Sequence, residues 1–285
     1  MPCGGSRRGP EQAGTVAELS WRQDGPLWCL DPRGGASGRG EVSGQGRIEF
    51  IGGSYLAATP QISYRRLLEA LAARGLAVRA WSYVPGFDHQ SQANQAWRAF
   101  RSDREAAVRA SGCFEADPGE PLLRLGHSLG CKLHLLAPDG GRRCSALLAL
   151  SFNNFAAERS VPLLAEMGQQ FGFRSEFSPS PQETLALVQR SWRQPRNLLV
   201  RFRHDDLDQS PRLLEELRQR PGDASDLIEL PGDHLTPASA GLRRNLLGDW
   251  ADDPARQRRF DRLVDTLLGW VVAGGAETAR RGLSA

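Results

Sequence analysis

The sequence predicts an α/β fold, with a mostly parallel central sheet, helices on both faces and a small helical cap. Three observations predict it. From residue 47 onward, short apolar runs alternate with amphipathic runs, the signature of strands joined by crossover helices. One apolar run ends in a Gly-x-Ser-x-Gly turn and passes directly into a helical run. The chain has 285 residues, enough to bury a sizeable core within one domain.

The elements follow in chain order. Residues 1–15 are rich in Gly, Ser, Arg and Pro and form a disordered lead. The domain is expected over residues 16–285. Glu18–Arg22 and Leu27–Leu30 are short strand-like pieces, and Asp31 to Gly46 is a Gly-rich loop. Arg47–Ile51 is a strand that ends in Gly52-Gly53. In Ser63–Arg74, Leu67, Leu68 and Leu71 share one helical face, and Gly75 ends the helix. Ala77–Tyr83 is a strand, Gln90–Arg109 a polar-faced helix, and Pro121–Leu125 a strand with its helix at Ser128–Ala137. Ser145–Leu150, Asn197–Phe202 and Asp226–Leu230 are further strands. Pro211–Arg220 and Pro254–Val272 are helices with Pro near their starts. The long gap between the strands at 145–150 and 197–202 reads as a cap insertion over 152–195. It carries helical pieces at Val161–Phe171 and Pro181–Trp192.

Composition narrows the function classes. Mean hydropathy is -0.42, and no apolar run approaches the ~20 residues of a membrane span. An integral membrane protein and a fully disordered chain are both excluded. Net charge is +3, yet Lys132 is the sole lysine among 36 basic residues. Arginines interleave with acids, as in Arg101-Ser-Asp-Arg-Glu105, which suits solvated helix faces better than a nucleic-acid stripe. No nucleic-acid partner is expected. Five cysteines at wide spacing, without a Cys-x-x-Cys, suggest neither a disulfide framework nor a zinc site. The first residues carry no apolar h-region, so a cytoplasmic location is the expectation.

The chemistry centres on Gly126-His127-Ser128-Leu129-Gly130. The pattern alone is common in a chain with 31 Gly. Its context makes it specific: the strand Leu122, Leu123, Leu125 runs into it and a helix leaves it. Small residues flank the Ser because the turn is tight and the helix packs close to the strand. A serine needs a base and an orienting acid. His234, in Pro231-Gly-Asp-His-Leu-Thr-Pro237, lies just past the last strand and is the expected base. The acid is expected after the preceding strand, where Asp206 is the first choice, Asp208 the runner-up and Asp205 the third. Each of these also suits a cap for the helix near Pro211. The backbone of Leu129 and the loop at Ser54 and Tyr55 are the expected oxyanion donors. His89, Phe152 and Asn153 are candidates for contact with substrate. His127 and Lys132, beside the elbow, need no catalytic role. The constellation requires neither a cofactor nor a metal.

These residues resemble an α/β-hydrolase. Beyond that superfamily, the chain is similar to a family of cyanobacterial and plastid proteins, the domain of unknown function 1350. The similarity rests on Phe50-Ile-Gly-Gly-Ser54 with Ala57-Ala-Thr-Pro60, Phe87-Asp-His89, the elbow, and Ser151-Phe-Asn-Asn154. It continues through Asn197-Leu-Leu-Val200, Asp206-Leu-Asp208 and Asp233-His-Leu-Thr-Pro237, so it spans about residues 20–240. The resemblance implies a serine-hydrolase-like fold in a photosynthetic organism and specifies no substrate.

The expected activity is a Ser-His-Asp hydrolase (esterase, lipase or thioesterase in type) acting on a small-molecule ester or thioester with an acyl or lipid-like part. Two other readings stay open: a binding protein that keeps the scaffold without turnover, and an acyltransferase that uses the same triad. The oligomeric state is not legible.

Overall fold

The computed structural model describes residues 19–32, 46–54, 56–111, 121–156, 176–238 and 254–282. Eight strands form one sheet: β1 (Trp21–Asp24), β2 (Leu27–Leu30), β3 (Gly46–Ile51), β4 (Leu76–Trp81), β5 (Leu122–His127), β6 (Ala146–Leu150), β7 (Asn197–His204) and β8 (Asp226–Asp233). Their order is β1-β2-β4-β3-β5-β6-β7-β8. β1 and β2 are antiparallel additions at one edge, and every pairing from β4 to β8 is parallel. Parallel neighbours need crossovers, and the helices supply them. They are α1 (Pro60–Ser63), α2 (Arg65–Ala72), α3 (His89–Ser111), α4 (Leu129–Leu135), α5 (Pro181–Ser191), α6 (Ser210–Arg218) and α7 (Pro254–Gly282).

The period-2 alternation of the central strands sorts their side chains onto two faces. Ile48, Phe50, Val78, Leu123 and Leu125 join Leu67, Leu71, Leu263 and Leu267 in a wholly apolar layer under α2 and α7. The opposite face receives α3 to α6. Ile51 and Trp81 pack there with Ala96 and Phe100 of α3 and Leu133 of α4. Leu147 and Leu199 pack with Val188 of α5 and Leu213 of α6.

The expected strands and helices are present wherever the chain is described. The first strand begins at Trp21, three residues later than expected, because its partner β2 ends at Leu30, directly opposite Trp21. The proposed lead at 1–15 and the helical piece Val161–Phe171 lie outside the described residues. Half of the expected cap has a different job. α5 starts with a capping box on Ser180 and Glu183. It buries Val188, and Trp192 just beyond it, on the sheet. It is therefore the crossover helix between β6 and β7.

Candidate active site

β5 ends at His127, and the chain turns at Ser128 with φ 55 and ψ -121 before α4 begins. A non-glycine residue in that region is strained by roughly 1–3 kcal/mol, and here the strain lifts the hydroxyl above the strand ends. The turn is affordable only because its neighbours are small. A Cβ on Gly126 would lie 2.6 Å from the Cys131 nitrogen, and one on Gly130 would overlap the Ile51 carbonyl. The Ser128 N–H is tied to the Leu150 carbonyl of β6 at 2.9 Å. Leu129 is the first residue of α4, so its N–H lies ahead of the helix's own hydrogen-bond ladder.

His234 stands in the turn after β8. The Asp233 carboxylate accepts from the Leu235 N–H at 3.0 Å, and the Asp233 N–H donates to the Thr236 hydroxyl at 2.8 Å. The imidazole Nε2 lies 3.1 Å from the Ser128 hydroxyl. Its Nδ1 donates to the Asp205 carboxylate, at 2.9 and 3.0 Å from the two oxygens. The His234 side chain keeps 20% of its surface open, while the Asp205 carboxylate is fully covered. Burial acts to raise the Asp205 carboxyl. The bond from His234, the nearby Ser151 hydroxyl and the Leu207 N–H outweigh it and hold the group below its ordinary value.

The acid partner of His234 is thus Asp205, which corrects the first choice of Asp206 and the runner-up Asp208. The physical reason lies at the end of β7. The strand runs two residues further than expected, to His204, and its pairing with β8 shifts register between Phe202 and His204. The extra residue of that shift lies on β8; β7 itself ends in a turn, in which the Asp205 N–H donates to the Phe202 carbonyl at 3.1 Å and the Asp205 carboxylate accepts from the Leu207 N–H at 3.0 Å. Asp205 turns inward and Asp206 is left exposed. Asp208 takes the capping role instead: its carboxylate accepts from the N–H and hydroxyl of Ser210, at 3.0 and 2.8 Å, at the start of α6. Burial, opposed by those bonds, pushes the Asp208 carboxyl up to about 6.

The remaining expectations divide. Ser54 lies in the loop after β3, whose Gly53 backs onto Ser128 and His127. Tyr55 lies outside the described residues. Phe152 is corrected to a core residue: it is 1% exposed and packs with Val188, Leu199 and Leu213, so it has no face left for a substrate. Asn153 is half-buried, and its side chain accepts from the Phe155 N–H at 3.2 Å, turning the chain. His89 is buried at the start of α3. Its ring lies 4.2 Å from that of Phe177, and neither ring nitrogen has a hydrogen-bond partner. Among the described residues, no cluster of His, Cys, Asp and Glu is arranged to hold a metal ion, and no helix is long and apolar enough to cross a membrane.

Sequence reasoning gave no role to Tyr64 or His127. Tyr64 reads as one more core residue near a helix start, and His127 as a spacer in the elbow. Both are buried beside the Ser128 to Asp205 line, and the hydroxyl of Tyr64 meets His127 Nδ1 at 2.7 Å.

Comparison with known proteins gives a family and a fold. The family model described as "Protein of unknown function (DUF1350)" matches residues 42–257. No curated protein matches by sequence. Among solved structures, a siderophore hydrolase, EstB from Aspergillus fumigatus, is similar with a TM-score of 0.60 at 11% identity, covering 92% of this chain and 99% of that one. The thermophilic esterase Est2 of the Planctomycetes species Thermogutta terrifontis, phosphonylated by sarin, has a TM-score of 0.54 at 16% identity, covering 91% and 95%. A soluble variant of monoglyceride lipase from Saccharomyces cerevisiae has a TM-score of 0.51 at 16% identity, covering 85% and 97%. The fold is that of the α/β-hydrolases.

Proposed function

This chain belongs to the DUF1350 family, and from that premise we propose that it is a serine hydrolase of esters or thioesters. The observation that carries the reading is the unbroken line from the Ser128 hydroxyl through His234 to Asp205. In this reading the Ser128 Oγ attacks the acyl carbon while His234 Nε2 takes its proton. The Asp205 carboxylate holds Nδ1–H, so Nε2 is the free base, and it offsets the charge that forms on the ring. The oxyanion is met by the N–H groups of Leu129 and Ser54. His234 returns its proton to the leaving alcohol or thiol, and the acyl-enzyme is then cleaved by water through the same base.

An acyl substrate with an apolar part suits the rim. Exposed Val84 and Phe87 follow β4, Leu207 follows β7, and Leu235 sits beside the base. All are on loops at the strand ends that carry Ser128 and His234. Asn153 is proposed as a polar point near that rim, while His89, at 2% exposed, has no surface to offer a substrate.

A fluorophosphonate tests the reading, as the phosphonylated esterase relative suggests. Ser128 Oγ bonds to phosphorus, fluoride leaves, and the hydroxyl proton passes to His234. Wild type is expected to gain one phosphonyl adduct and Ser128→Ala none. A folded wild type that stays unlabelled would refute the assignment. Added alcohol or amine acceptors that outcompete water would redirect it to acyl transfer.

A further inference from the structure

We propose that Tyr64 is a positioning residue that ties the oxyanion loop to the base through His127. The inference rests on the serine-hydrolase reading above. It starts from proton bookkeeping in a buried chain of hydrogen bonds. His127 Nε2 lies 2.8 Å from the carbonyl oxygen of His234. A carbonyl only accepts, so Nε2 carries the proton and Nδ1 is bare. Nδ1 therefore accepts from the Tyr64 hydroxyl at 2.7 Å. The same hydroxyl accepts from the Gly53 N–H at 2.8 Å. Every member then has one assignment, and none is left unsatisfied. Burial, reinforced by His234 beside it, lowers His127 to about 3, so the ring stays neutral over the working range. Burial likewise pushes the Tyr64 phenol up, so it keeps its proton.

A second phenol completes the clamp. Tyr83 donates to the Gly52 carbonyl at 3.0 Å. That carbonyl and the Gly53 N–H belong to one peptide group, whose plane is rigid. Tyr83 holds its oxygen and Tyr64 its hydrogen. The Gly53 N–H is consumed by this bond and is not free for an oxyanion, which leaves that of Ser54 as the next donor along the loop. Through Tyr64 and His127 the same clamp reaches the backbone of His234. Oxyanion loop, elbow and base come from three different strands, and this chain fixes their spacing. Small misplacement of such groups is costly, about 10²-fold for ~1 Å.

The test uses the intact protein and p-nitrophenyl butyrate, with the fluorophosphonate as a control for the nucleophile. Tyr64→Phe keeps the ring that packs edge-on to Phe50 and removes only the hydroxyl. It is expected to lower kcat roughly 10- to 100-fold with KM within about twofold. His127→Leu should fall as far. His127→Gln can accept from Tyr64 and donate to His234, so it should recover most of the loss. In wild type, ¹⁵N spectra should show His127 as the Nε2–H tautomer, not titrating down to about pH 5. This follows from its depressed value of about 3. A folded Tyr64→Phe with kcat within about twofold of wild type overturns the proposal. So does an Nδ1–H tautomer or a titrating His127, even if the variants fail to fold. A wild type inert to both reagents overturns the hydrolase reading itself, and this inference with it.

Discussion

Two regions of the molecule bury polar groups in opposite ways. Under α3, the face of the central sheet that could have been apolar carries Arg47 and Glu49 of β3, Arg79 of β4 and Arg124 of β5. Arg47 pairs with Asp103, and Arg79 reaches both Asp31 at 2.8 Å and Asp103 at 3.3 Å. Arg104 pairs with Glu49, while Arg124, 1% exposed, lies 2.8 Å from Asp139. In this cluster four guanidinium groups meet four carboxylates, charge against charge. At the strand ends, Asp205, His234 and Ser128 form a line that is closed at the carboxylate and open at the hydroxyl. Burial of charge alone therefore does not mark a reactive site. In the proposed function, what sets the second region apart is that its line of hydrogen bonds ends on a hydroxyl rather than on a paired charge.

The sharpest way to break the comparison is at the open end. Ser128→Ala should remove about 10⁶ in kcat, as expected for a nucleophile that acts as a unit with its base. Steady-state ester hydrolysis checks this. At the closed end of the same line, Asp205→Asn should cost about 10⁴ in kcat by favouring the wrong imidazole tautomer. Asp206→Asn should stay within about twofold, and parallel kinetics separate the two.

The ionic cluster should respond in stability instead. Glu49→Gln leaves buried Arg104 beside a neutral amide, while Arg124 keeps Asp139. The expected loss is about 3–5 kcal/mol, because one partner of a buried pair has been removed. Urea unfolding measures it, and turnover per folded molecule should not change.

The smallest effect concerns Lys132, buried in α4 with its ammonium on the Pro179 carbonyl at 2.9 Å. Burial lowers it to about 7, against the pull of Glu183, and His89 is the other titratable neighbour. Between that value and the ordinary ~10.4, the unfolded chain holds a proton the folded one lacks. Stability should therefore rise with pH from about 7 to 10, and the full penalty should apply below. Melting curves across that range should show a flatter dependence for Lys132→Met.

What was legible in the sequence follows from range. Strands, helices and the elbow are written in local periodicity, and Gly126 and Gly130 announce a turn that no larger residue permits. His234 was legible because it sits one turn past the last strand. Asp205 was not separable from Asp206, since the turn that closes β7, with the Asp205 N–H on the Phe202 carbonyl, decides which carboxylate faces inward. Phe152 looked like a site residue from its place after β6, and only packing against α5 and α6 shows it to be core. Tyr64 carries no local signal at all. Its partners, Gly53 and His127, lie on other elements, and a core tyrosine reads the same with or without them.

The central claim is that Ser128 is the free end of a working proton line. Intact-mass measurement and peptide mapping after fluorophosphonate treatment, with wild type beside Asp205→Asn, test it most directly. The account predicts a single adduct on Ser128 that forms fast in wild type and orders of magnitude more slowly in Asp205→Asn. An adduct on another residue, or equal rates in the two proteins, would contradict it.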